Sequence, residues 1–93
     1  MNRYDILCEA ISTYGEDAQT MMLFEEMSEL QNAICKHKRG RDDRQHICEE
    51  IADVMVMLDQ MSIIFGTDSV KRFYDLKLKR LKHRLNKEKA KEQ

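Results

Sequence analysis

Proline is absent from this sequence, and glycine and cysteine occur three times each. Without proline and with so little glycine the chain is neither collagen-like nor a Pro/Gly-rich disordered segment, and an all-β sandwich with its frequent turns is disfavoured. Cys8, Cys35 and Cys48 are odd in number and form no C-x-x-C pair, so a disulfide framework is not expected and a reducing compartment fits. No apolar run approaches the roughly 20 residues that span a bilayer, and the opening MNRYDILCEA has no signal-peptide hydrophobic stretch. The expectation is a cytoplasmic protein with no membrane partner.

What is present is helix-forming. Met, Leu, Ile, Ala, Glu, Lys, Arg and Gln dominate, and all lose little on entering a helix. At 42% hydrophobic and 35% charged the composition suits amphipathic helices, and 93 residues make one domain with a small core that partners would complete. The net charge of −1 conceals a division. Residues 1–66 carry 13 Asp and Glu against 6 Lys and Arg, a balance of −7, whereas residues 67–93 carry 4 against 10, a balance of +6. An acidic body with a basic tail suits a polyanion, a metal on the acidic part, or neutralisation across a subunit contact.

Gly15, Gly40 and Gly66 cut the chain into four helical pieces, with Asp17, Asp42 or Asp43, and Thr67 or Asp68 as expected N-caps. Leu7, Ile11 and Tyr14 mark a helix over about 3–14, and Leu23, Met27, Leu30 and Ile34 one over about 17–39. Ile47, Ile51, Val54, Leu58, Met61 and Phe65 form a stripe over about 43–65, and Tyr74, Leu78, Leu81 and Leu85 another over about 68–90. The fold class is therefore all-α. The polar turn KRGRDD makes the second and third helices an antiparallel hairpin, flanked by the other two and assembling into a four-helix-bundle-type homo-oligomer whose contact includes Leu58, Met61 and Phe65. Residues 1–86 form the single domain, and 87–93 a charged tail expected to fray.

Glu26 and Glu29 on the second helix, and Glu50 and Asp53 on the third, are i, i+3 pairs, each aiming two carboxylates at one spot. A solvated acidic face usually places Lys or Arg four residues on. Here those positions hold Leu30, Ala33, Val54 and Met57. Four acids on partly apolar surfaces cost several kcal/mol per buried charge unless a cation joins them. Oxygen-only ligands suit Mg²⁺, with Mn²⁺ as a substitute, and Mg²⁺ commonly works with substrate phosphates. A zinc site from Cys35, His37, His46 and Cys48 fails on geometry, because helical residues two apart point about 200° away from each other. On the fourth helix Lys77, Arg80 and Arg84, continued by Lys87, form a basic row roughly opposite the apolar stripe and able to hold successive phosphates. Ion pairing between that helix and the acids is the structural rival. Sparse aromatics and the lack of a helix-turn-helix or RNA-binding signature argue against nucleic acid.

EEMSEL, EEIADVMVMLDQM and KLKRLKHRL, in that order, resemble the MazG-like members of the all-α nucleoside triphosphate pyrophosphohydrolases, over about residues 17–85. The resemblance implies a helical bundle, assembled as a homodimer or homotetramer, that uses Mg²⁺ to hydrolyse a nucleoside or deoxynucleoside triphosphate to the monophosphate and pyrophosphate. By that resemblance Glu26, Glu29, Glu50 and Asp53 are the metal-binding acids and Lys77, Arg80 and Arg84 the phosphate-binding cations. Glu29 and Glu50 are the expected catalytic carboxylates, with Glu29 as the base that takes a proton from the attacking water. A non-enzymatic helical oligomer acting as a regulatory or interaction protein is the alternative. It explains the composition and the basic tail but leaves the unpaired carboxylates without a purpose.

Overall fold

The computed structural model describes residues 1–41 and 43–92 and consists of four helices, α1 (Arg3–Tyr14), α2 (Glu16–Lys38), α3 (Arg44–Phe65) and α4 (Thr67–Lys91). No strand occurs among the described residues, so the chain is all-α. None of these helices is long and apolar enough to cross a membrane. The glycines fall at the joints. Gly66, at φ 129°, occupies backbone space that a side chain rarely tolerates, so α3 turns into α4 through the one residue type suited to it.

The caps differ in part from the sequence expectation. Asp43 caps α3 by accepting the His46 backbone N–H at 3.0 Å. Asn2, which the glycine pattern does not mark, caps α1 in a reciprocal capping box with Asp5. Asp17 and Asp68 lie inside the first turns of α2 and α4 and Thr67 opens α4, because those helices begin directly after Gly15 and Gly66. Acids there still face the positive end of the helix dipole. Asp42 lies outside the described residues.

Most of the packing is between α2 and α3. On α2 Gln19, Leu23, Glu26, Leu30, Ala33 and His37, spaced alternately four and three apart, are removed from solvent with Thr20 half-buried beside them, and on α3 the buried set is Glu50, Val54, Met57 and Gln60. That spacing is the seam of two helices packed side by side. Gln19 near the start of α2 donates to Gln60 near the end of α3 at 2.7 Å, and Thr20 reaches the Met61 sulfur. At the other end Ile34 and His37 share a shallow pocket with Ile47 and Cys48. α1 lies against both helices with Leu7 buried, and Arg3 pairs with Asp59 of α3.

Within one chain the apolar stripe of α3 is only partly covered. Val54 is buried, but Ile51, Leu58 and Phe65 are exposed, Phe65 at 79%. The buried face instead runs through Glu50, Val54, Met57 and Gln60 and lies about 100° around the helix from Ile51, Leu58 and Phe65. α3 thus carries two apolar faces, and α2 covers one. On α4 nothing is buried, and only its start sits against α3. The radius of gyration, 17.2 Å, exceeds the roughly 12 Å of a compact chain of this length. The charged residues 87–91, read in the sequence as a tail, continue α4 to Lys91, which bonds Glu88; Gln93 lies outside the described residues.

Candidate functional site

Glu26 of α2 and Glu50 of α3 occupy seam positions, so pairing of the two helices carries both carboxylates inward. Glu50 is buried, at 8% exposure, Glu26 is half-buried, and Glu29, one turn along α2, is exposed. One carboxylate oxygen from each of Glu26, Glu29 and Glu50 lies within 4.8 Å of the others. Oε2 of Glu26 and Oε2 of Glu50 are buried without a hydrogen-bond partner. Asp53, the fourth expected acid, is exposed on α3 and close enough to act electrostatically on Glu26 and Glu50.

The electrostatics follow from this crowding. Burial is the largest cause raising the Glu26 pKa above the usual carboxylate value, followed by the charges of Glu29, Asp53 and Glu50. For Glu50 burial again comes first and Glu29 second, opposed by His46, whose Nε2 lies 3.5 Å from Glu50 Oε1. His46 is the site residue that sequence reasoning overlooked for this role. The signal lies in the i, i+4 spacing, with His46 one turn before Glu50 rather than after it.

Lys77, Arg80 and Arg84 stand apart from this cluster. All three are exposed on α4, and no α4 residue figures among the groups that shift Glu26 or Glu50. The row they form flanks the Tyr74, Leu78, Leu81, Leu85 stripe, roughly 100° from its centre, rather than opposing it. Of the rejected zinc set, Cys35, His46 and Cys48 are exposed and His37 half-buried; the ligand-bearing side chains that converge among the described residues are carboxylates.

Carboxylates gathered this closely need protons or a cation. Two orphaned oxygens that accept and cannot donate fit a hard divalent ion, for which oxygen-only donors are the preferred set. Comparison of the chain with protein-family models, with curated proteins and with solved structures returned no match.

Proposed function

We propose that the chain is a MazG-like, Mg²⁺-dependent hydrolase that splits a nucleoside or deoxynucleoside triphosphate into the monophosphate and pyrophosphate. The observation that carries this reading is the convergence of Glu26, Glu29 and Glu50 with two buried, unpartnered oxygens, beside Asp53. In this reading Glu26, Glu29, Glu50 and Asp53 hold Mg²⁺, or Mn²⁺ in its place. The bound ion would neutralise phosphate charge and lower the pKa of an attacking water. Glu29, exposed beside the buried acids, would accept that water's proton, and Glu50, with His46 Nε2 3.5 Å from its Oε1, would be the second catalytic carboxylate. Lys77, Arg80 and Arg84 are the proposed phosphate-binding cations, and since they stand clear of the acids in one chain, they would meet the substrate in an assembled oligomer. The assembly proposed is a cytoplasmic homodimer or homotetramer in which the α2–α3 pair forms an antiparallel hairpin and a face including exposed Leu58 and Phe65 and half-buried Met61 meets another copy.

Two variants test the reading. Glu50→Gln and Asp53→Asn preserve shape and remove charge, so a purely structural cluster would leave stability unchanged or improved. For a metal-dependent hydrolase the same changes remove ligands and should lower kcat/KM for triphosphate hydrolysis on the order of 100-fold or more. Pyrophosphate release from the common ribo- and deoxyribonucleoside triphosphates with Mg²⁺ is the measurement. Parent-level hydrolysis by well-folded acid variants would remove the cluster from the mechanism.

A further inference from the structure

We propose that α4 forms an antiparallel two-stranded coiled coil with α4 of a second copy of this chain. Tyr74, Leu78, Leu81 and Leu85 are spaced four, three and four apart, the pattern of a coiled-coil seam, and none is covered: they are 64%, 49%, 49% and 52% exposed. The helix is unbroken from Thr67 to Lys91, so the stripe is continuous. It begins in a groove of about 420 Å³ among α1, α3 and α4, lined by Tyr4, Leu7, Ile63 and Tyr74. Tyr74 belongs to both, so groove and stripe are one apolar surface.

The charge pattern selects the occupant. In an antiparallel pair with Tyr74 level with Leu85 of the other copy, Leu78 is level with Leu81, giving four apolar layers. The next positions outward set Lys71 against Glu88 at both ends. Along one edge Asp75 meets Lys82 and Asp68 meets Lys89, each pairing occurring twice by the two-fold symmetry. Along the other edge Lys77 meets Arg84, a repulsive pairing that also occurs twice by the symmetry. A parallel pair would instead oppose Lys77 to Lys82 and Arg84 to Lys89, cation against cation. An anionic membrane surface would gain nothing from Asp68, Asp75 and Glu88 at the seam margins, which the second copy uses.

This inference concerns assembly and does not depend on the hydrolytic reading; its readouts involve no turnover. With Cys8, Cys35 and Cys48 replaced by Ser and the fold checked by circular dichroism, Leu85→Cys chains should not cross-link to one another under mild oxidation. Mixed with Tyr74→Cys chains they should give disulfide-linked heterodimers. By sedimentation equilibrium of the full chain, Asp75→Lys and Lys82→Asp should each weaken association about tenfold. The two together in one chain should restore it to within about twofold, because each reversed residue again meets its opposite. Leu81→Asp should halve the assembled mass while leaving helix content unchanged. Self-linking of Leu85→Cys chains as efficient as the mixed reaction, failure of the double reversal to restore association, or an assembly indifferent to Leu81→Asp would each overturn the proposal. So would a monomer at micromolar concentration that binds phosphatidylserine vesicles through α4.

Discussion

The α2–α3 pair and α4 begin from the same kind of sequence and end differently. Each helix is 22 to 25 residues long, and each has an apolar stripe at helical spacing. The pair buries its seam, including one glutamate and a Gln–Gln hydrogen bond, whereas α4 buries nothing. A stripe states that a helix has a face to hide. It does not state what hides it, and the acid residues in the seam show that the hidden face need not be the most apolar one.

The largest expected effect breaks the comparison directly. Met57→Ala, at a seam position 6% exposed, should destabilise the fold by about 2–5 kcal/mol, while Leu76→Ala, exposed on α4 away from its stripe, should stay within about 0.5 kcal/mol. Chemical denaturation followed by circular dichroism distinguishes them, and equal costs would mean that α4 is packed after all. Next comes the polar layer. Gln60→Leu strands the buried Gln19 amide and should cost about 1–3 kcal/mol, most of it recovered in the Gln19→Leu/Gln60→Leu double variant. Additive losses in the double variant would show that the hydrogen bond is not what those positions contribute.

The smallest effect concerns pH. Glu26 and Glu50 have folded pKa values raised above 4.5, so they bind protons more readily folded than unfolded. Their contribution to stability is therefore fully present below about 4.5 and is lost as pH rises through the raised values. In metal-free protein, Glu50→Gln should match or exceed the parent's melting temperature at pH 7, and that advantage should shrink on acidification toward pH 4.5. An advantage that grows on acidification would show that burial and crowding do not hold the Glu50 pKa above its usual value.

Helix number and joints were legible because the backbone freedom of glycine acts locally. Gly15, Gly40 and Gly66 all lie at or beside the ends they were expected to mark, and the four helices begin and end within about two residues of the expected bounds. The acid cluster was legible in part. Spacing of three pairs Glu26 with Glu29 and Glu50 with Asp53, but the convergence of Glu26 and Glu29 with Glu50 depends on how two helices dock. His46 and the Gln19–Gln60 bond were missed for the same reason in different degrees. His46 shares a helix with Glu50 and was within reach of sequence reasoning, whereas Gln19 and Gln60 are 41 residues apart and meet only across the seam.

By itself, then, the sequence determined the all-α class, the helix limits, the separation of an acidic body from a basic final helix, and the identity of the paired acids. Each follows from interactions within a turn or two of helix, where neighbours in sequence are neighbours in space. Only the tertiary structure decided which side of α3 faces α2. That choice buried Glu50 with an unpartnered oxygen and left Ile51, Leu58 and Phe65 bare. Rotating α3 by about 100° would present the more apolar stripe instead, so the outcome rests on the joint fit of two surfaces, which no single helix encodes.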